Sequence, residues 1–426
     1  MPLVSCKLDT GMVVMGEAGV MEAAGELVAP AVRERLEGFV AQVAAGFSRV
    51  EQRRGVALYV RGMLEAGPRK SLGPLVARLG EDGDYESLQH FLADSPWDPA
   101  IVLRATAELV CPQIAVKAWV LDDTGFPKDG KHSPGVKRQY SGTLGKIGNC
   151  QLGVSVHAVG ERGTLPLGWA LYLPEEWCDD PERRRAAKIP AEVGFQTKPE
   201  LGVGLIERAA SWEIARAPVL GDHAYGENSA LRTRLDEADS EYVLSIGETS
   251  KAFCAKTVFA VAARKPGKGG TPRVARPDRP PATLRALAEE LEAEDFQTLA
   301  YGEDPDGEQR SSRFGFLRIS AAHPVTRDKL APRQEWLIVE WPEGAEQPSD
   351  YWISNLPQDT EPERLARLAR MRWQIELDYR QLKGELGLDH YEGRSYPGWH
   401  HHTALVTTAH AFLTLERLDP KAPRPA

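Results

Sequence analysis

Long apolar runs are missing from this sequence. No stretch approaches the ~20 consecutive apolar residues that a membrane-spanning helix needs, although hydrophobic residues make up 42% of the chain. The opening MPLVSCKLDTG has an acid at position 9 and no basic-then-apolar run, so no secretory signal is expected. Cysteine is sparse: Cys6, Cys111, Cys150, Cys178 and Cys254 lie far apart, with no CxxC pair. That excludes a disulfide framework and a zinc cluster as organising principles and fits a reducing cytoplasm. Net positive charge is also lacking, the formal total being −9. The deficit is local, however. Nine acids and no Lys or Arg fall between Glu289 and Glu308, which equals the whole excess. Against it stand basic runs: five basic residues and one acid from Lys128 to Lys146, six and one from Arg264 to Arg279. Phosphate contacts are made by local Lys and Arg rather than by the total, so the acidic sum counts only weakly against a nucleic-acid partner.

What is present is ordinary globular material, 27% charged and 426 residues long, enough for two or three units. Residues 1–110 read as a helical N-terminal domain, with apolar residues at three- and four-residue spacing in AVRERLEGFVAQVAAGF and LGPLVARLG. A DNA-binding role there follows from position only. After Cys111 the pattern changes. QIAVKAWVLD, GNCQLGVSVHAVG and TLPLGWALYLP read as strands, the last two separated by a turn at Gly160–Gly163. LGVGLIERAASW reads as a helix and APVLGD and EYVLSIG as strands, which makes residues 111–246 a mixed α/β sheet unit. Residues 247–355 break the rhythm with a Gly/Pro/Arg loop, the acidic stretch and two strand candidates, EWLIVEW and DYWISNL. They read as a mainly β insertion. Residues 356–426 then close the unit. TEPE reads as a capping box on Thr360 and Glu363, opening a helix to about Leu388 with Leu365, Leu368, Met371, Ile375, Tyr379, Leu382 and Leu386 as one apolar stripe.

On the neighbouring face of that helix, Arg372, Glu376, Arg380 and Lys383 follow one another at helical spacing. A solvated, ion-paired face and a metal-binding carboxylate flanked by phosphate-holding cations both fit this arrangement. Asp122 and Asp222 each end an apolar strand-length run, and ligands of open α/β sheets bind at the carboxyl ends of strands. Gathered together, three such acids would repel one another unless they bound a divalent cation, and hard oxygen ligands suit Mg²⁺ or Mn²⁺. Strand-end acids are also common turn residues, so spacing alone leaves both readings open.

Three segments are more specific: VLDDTGFPKDGKHSPGVKRQYSGTLGKIGNCQ, VLGDHAYG and RMRWQIELDYRQLKGELGLDHYEGRSYPGWHHH. Together they resemble the DDE transposases of bacterial insertion sequences, in order from about Tyr59 to Leu413. The resemblance implies a ribonuclease-H-like catalytic domain interrupted by a β insertion. It places the three catalytic, metal-binding acids at Asp122, Asp222 and Glu376, with Asp123 as the neighbour of the first. The family signature around the Glu is matched by Arg372, Glu376 and Lys383, while Ala369 stands where the family has Tyr; Tyr379, one turn past the Glu, is the substitute candidate. Arg372, Lys383, Arg380, Tyr379, Lys128, Lys137 and Arg138 are the expected DNA contacts. Two Mg²⁺ or Mn²⁺ ions per site, double-stranded DNA ends and target DNA, a homodimer on DNA, no membrane and a nucleoid-associated cytoplasmic location are implied. The activity implied is end cleavage followed by 3′-hydroxyl strand transfer. A nuclease of the same fold that cuts without joining, or a DNA-binding regulator that has lost catalysis, are the alternatives.

Other features are weaker. His400, His401 and His402 lie inside a helical stretch, where consecutive side chains diverge, so no metal site is expected of them. Trp341 and Trp352 in the insertion are expected in the core rather than against a flipped base. The Arg/Gly/Pro loop at 264–279 is a candidate track for a DNA backbone.

Overall fold

The computed structural model describes residues 30–261, 275–303, 308–322 and 333–418. The first 29 residues, Cys6 among them, and most of the Arg/Gly/Pro loop lie outside the described residues.

The N-terminal region is helical, as its periodicity predicts: α1 (Pro30–Val43), α2 (Val50–Leu64), α3 (Leu72–Leu79), α4 (Tyr85–Ala93) and α5 (Pro99–Ile114). Asp84 and Asp98 cap α4 and α5 by accepting from Ser87 and Ala100 backbone N–H. The C-terminal helix α10 (Tyr396–Leu418) is buried on nearly every side, including His401, His402, Thr407 and His410. A helix covered all round belongs at the centre of a core. It packs on α2, α4 and α5 and also on a sheet strand, so the helical region and the sheet share one apolar cluster from Leu36 to Phe412.

The sheet is built on β1 (Val116–Pro127), β2 (Lys137–Ser141), β3 (Lys146–Gly160) and β4 (Gly163–Leu171), all joined by antiparallel pairing. After α6 (Lys198–Ala210) the chain returns to β5 (Val219–Gly221), parallel to β1, and, after α7 (Ser229–Glu237), to β6 (Tyr242–Ser245), parallel to β5. The order β4–β3–β1–β5–β6, a meander followed by two parallel strands, is that of a ribonuclease-H-like sheet. The inserted segment extends this sheet. β14 (Asp350–Ser354) pairs with β6, followed outward by β13 (Glu335–Glu340), β12 (Gln309–Ala321), β7 (Lys251–Cys254) and β10 (Ala282–Thr283). β11 (Phe296–Glu303) pairs with β12, and β8 (Phe259–Val261) with β9 (Ala275–Pro277) forms a two-stranded ribbon. Trp352 is buried and Trp341 packs edge-on against Phe296 with its Nε1–H on the Ala345 carbonyl, so both are packing residues.

β1 decides where the acids point. It is covered on both faces, and side chains alternate with period 2. Trp119 and Leu121 join the cluster on the α6 side, while Ala118 and Val120 join the other, beneath α8 (Pro362–Met371) and α9 (Gln374–Gly384).

The final helices differ from the single capped helix the sequence predicts. The cap is Glu361, with Pro362 as the first helical residue, and Thr360 Oγ1 is buried without a hydrogen bond. Proline's fixed φ starts the helix one residue later than the TEPE spacing requires, so the reciprocal cap does not form. The helix is also interrupted at Arg372–Trp373, where Ile375 N–H bonds Arg372 O and Glu376 N–H bonds Trp373 O. These are the tighter three-residue links of a 3₁₀ turn, and they occur beside the site.

Candidate active site

Asp222 lies one residue beyond β5 and caps the helical turn His223–Gly226, its Oδ1 accepting Ala224 N–H at 3.0 Å and Tyr225 N–H at 3.3 Å. The turn is possible because Gly226 has no side chain: a Cβ there would lie 1.8 Å from the Ser245 carbonyl oxygen of β6. Gly226→Ala is therefore expected to cost about 2–4 kcal/mol, a backbone clash being less relievable than an overpacked side chain. Urea unfolding would measure it; a loss under about 0.5 kcal/mol would show that the turn moves freely.

Leu121 is in register with Gly221 across the parallel β1–β5 pair, so Asp122 and Asp222 occupy equivalent positions on neighbouring strands. The sequence ends β1 at Asp122; the structure continues it to Pro127, because β3 still supplies an antiparallel partner after β5 has ended. Alternation then separates the adjacent acids. Asp122 continues the Ala118–Val120 face toward α9. Asp123 continues the opposite face and pairs with Lys198 of α6 at 2.8 Å.

Asp122 is 9% exposed. Its Oδ1 accepts the Asp123 backbone N–H at 2.7 Å, and its Oδ2 accepts from Arg372 Nη1 at 3.0 Å. Burial pushes its carboxyl up to about 7; Arg372 works against this, and the nearby Asp222 charge adds to it. Glu376 is exposed, with Arg372 Nη2 3.7 Å from its Oε1. One guanidinium thus stands between the first and third acids. Among the described residues no three metal-ligating side chains are gathered closely enough to hold an ion.

The expected DNA contacts are placed unequally. Arg380 on α9 and Arg138 on β2 are exposed. Lys137 pairs with Glu176 at 3.1 Å. Lys128 Nζ donates to the Tyr391 carbonyl at 2.6 Å, and burial lowers its pKa. Lys383 Nζ donates to Thr124 Oγ1 (2.7 Å), the Gly125 carbonyl (2.8 Å) and Thr143 Oγ1 (3.2 Å); burial lowers it to about 8. Arg372 and Lys383 are therefore engaged within the protein, because a buried carboxylate and a strand-edge carbonyl need donors. The Tyr379 hydroxyl is 2.7 Å from Ser155 Oγ. The histidine triplet serves packing: His401 lies between the Leu92 and Trp97 carbonyls, and His402 meets the Tyr59 hydroxyl.

Behind Asp122 runs a buried polar chain that sequence reasoning missed. Tyr379 meets Ser155, Ser155 Oγ meets His157 Nε2 at 3.0 Å, and His157 Nδ1 meets Asp378 Oδ2 at 3.0 Å. Thr164 donates to the other oxygen of Asp378. Burial raises the Asp378 carboxyl, but the His157 bond, with His410 and Thr164, outweighs it and holds Asp378 below the usual range. The available signal was Ser155 and His157 as alternating polar residues inside an otherwise apolar strand.

A ribonuclease-H-like sheet with acids on two neighbouring strands and a third on a covering helix defines the class of carboxylate-based enzymes that act on phosphodiesters. The sequence pattern of one family in that class, described as DDE superfamily endonuclease, matches residues 42–305, more than half of the chain. The chain belongs to this family. The matched stretch holds Asp122 and Asp222 and ends before Glu376. A probable transposase for insertion sequence element IS701 from Microchaete diplosiphon is 33% identical over 181 residues, 42% of this chain and 44% of that protein. The match thus spans less than half of either protein. No described helix is long and apolar enough to cross a membrane.

Proposed function

We propose that this protein is a cut-and-paste DNA transposase that cleaves the ends of its element and joins the freed 3′-hydroxyl to target DNA. The observation that supports this most is the equivalent placement of Asp122 on β1 and Asp222 just past the parallel β5, with Arg372 bonded to Asp122 and reaching Glu376. The likeness to an insertion-sequence transposase adds to it.

The donor set fits a hard divalent cation, Mg²⁺ or Mn²⁺: carboxylate oxygens alone, one of them buried beside a second acid and balanced by a guanidinium. Asp122 and Asp222 would hold it, and Glu376, not gathered with them in this structure, would have to close in as the third ligand, with two ions as the full complement. Bound there, the cation would polarise the phosphate and make the attacking oxygen a better nucleophile. Arg372 has two tasks. It balances Asp122 in the resting site, and it turns to a DNA phosphate once Asp122 is otherwise neutralised. Lys383 holds the turn at Thr143 against β1 and so keeps the floor of the site in place. In the first step a water oxygen attacks phosphorus, the 3′-oxygen departs and takes up a proton, and a 5′-phosphate remains on the other fragment. In the second, that 3′-hydroxyl attacks a target phosphodiester and a target 3′-oxygen leaves, so bonds made equal bonds broken. A dimer pairing two DNA ends, working at the nucleoid, is the assembly this chemistry calls for.

Incubating the protein with precut end DNA, supercoiled target and Mg²⁺ tests the reading. Joined product is expected. Cleavage without joining would replace it with a nuclease of the same fold, and neither reaction would refute it.

A further inference from the structure

Tyr140 and Ile147 are large apolar residues left 64% and 59% exposed, and they face each other across the β2–β3 pair. Directly opposed antiparallel residues have Cβ atoms about 5 Å apart, so the two side chains form one patch. The other strongly exposed apolar residues, such as Val50, Tyr85 and Val258, lie singly on separate elements. Single exposures are common; a paired one beside a site calls for an occupant.

Charge indicates which occupant. From Gly130 to Gly160 there is no Asp or Glu, while Lys131, Lys137, Arg138 and Lys146 are all present. Arg138 shares the Tyr140 face of β2 by alternation, whereas Lys146, paired with Ser141, takes the other face; both are exposed. An apolar platform where cations outnumber acids, Glu176 on Lys137 being the acid that reaches β2, matches stacked bases flanked by phosphates more than the mixed-charge rim of a protein partner.

Position indicates where. The turn between β2 and β3 is tied to β1: Thr143 Oγ1 accepts Gly125 N–H at 3.1 Å and lies 3.3 Å from Thr124 Oγ1, with Lys383 bridging them. The hairpin presses so closely that a Cβ on Gly125 would lie 2.0 Å from Ser141 Oγ. Thr124 is two residues from Asp122, about 7 Å along the strand.

We propose that Tyr140, supported by Ile147, is a base-stacking platform for the DNA strand next to the reacting phosphate, with Arg138 on a flanking phosphate. This rests on the reading of the acids as a DNA-cutting site. The hairpin takes an unpaired or readily unstacked base, because stacking on an exposed ring requires a free base face.

The test uses the full-length protein in Ca²⁺ with two probes: a blunt duplex, and the same duplex with one end unpaired and 2-aminopurine in the unpaired strand. The wild type is expected to bind the frayed probe roughly tenfold more tightly than the blunt one and to change the 2-aminopurine fluorescence. Tyr140→Ala should lose both effects with an unchanged melting temperature, and Tyr140→Phe should keep both. Equal preference and fluorescence in the wild type and Tyr140→Ala would overturn the platform. So would a change in oligomeric state on Tyr140→Ala without any change in DNA binding, which would assign the patch to a protein contact. Mg²⁺-dependent cleavage by the wild type and Asp222→Asn, run in parallel, separates the two hypotheses. Cleavage lost in Asp222→Asn alongside an unaffected Tyr140→Ala leaves the proposed activity standing without the platform. Cleavage unchanged in Asp222→Asn removes the activity reading itself.

Discussion

Asp222→Asn is expected to lower DNA cleavage by roughly 10³-fold or more while leaving the protein as stable as the wild type, since removing one preorganised electrostatic group commonly costs at least 10²–10³. The stability half follows from the cap. Asp222 holds the His223–Gly226 turn through Oδ1 alone, and asparagine caps as well as aspartate. Asn keeps that acceptor and loses only the charge needed by a cation. Asp122→Asn should be equally inactive but different in stability. The folded carboxyl is raised by burial from its ordinary value to about 7. A group raised in the folded state contributes stability fully present below its unfolded pKa and lost as pH climbs through the folded one. The wild type therefore loses stability between about pH 4 and pH 7, by up to roughly 4 kcal/mol for a shift of this size, and Asn, which cannot ionise, does not. Loss of the Arg372 partner offsets part of that gain. Melting temperatures across this range, with cleavage at pH 8, would check it. An Asp122→Asn protein whose stability falls with pH as the wild type's does, or which still cleaves, would show that Asp122 is not the buried acid of the site.

Asp378→Ala should carry the larger structural penalty, on the order of 3–5 kcal/mol, because it leaves two hydrogen-bond donors without their charged acceptor. The fully buried His157 Nδ1 and the half-buried Thr164 hydroxyl would both lose their acceptor. The effect on chemistry arises through α9: Asp378 and Tyr379 anchor its inner face to β3, and Glu376 stands on the same helix. A double-mutant cycle of Asp378→Ala with His157→Ala should give a coupling of about 1–3 kcal/mol. Additive losses would mean that the two groups are satisfied independently and that the chain does not act as a unit. Asp378→Asn, which keeps one acceptor oxygen, should lose less in both stability and cleavage.

The helical N-terminal region, strands β1 and β3 to β6 and the β-rich insertion could be read from periodicity, while Asp122, Asp222 and Glu376 as the acids to watch came from the family resemblance. Those signals are local: a strand alternates and a helix repeats within a few residues, wherever the rest of the chain lies. Hairpin strand β2 went unread because Lys137–Ser141 is polar and carries no alternating apolar signal. The Thr360 cap was misplaced because the motif spacing ignored the proline that sets the first helical residue. Asp122 was the preferred first acid beside Asp123, and only strand pairing fixed which face each of them occupies. Arg372 was expected as a phosphate contact; its bond to a buried carboxylate 250 residues away in sequence was not readable from helix spacing. The chain from Tyr379 to Asp378 joins residues more than two hundred positions apart. Composition and periodicity thus determined which elements form and which acids they carry, because those depend on near neighbours along the chain. Which side chains meet, which charges are buried and which partners balance them were decided only by tertiary packing, because burial and Coulomb energy depend on distances through space that sequence spacing does not encode.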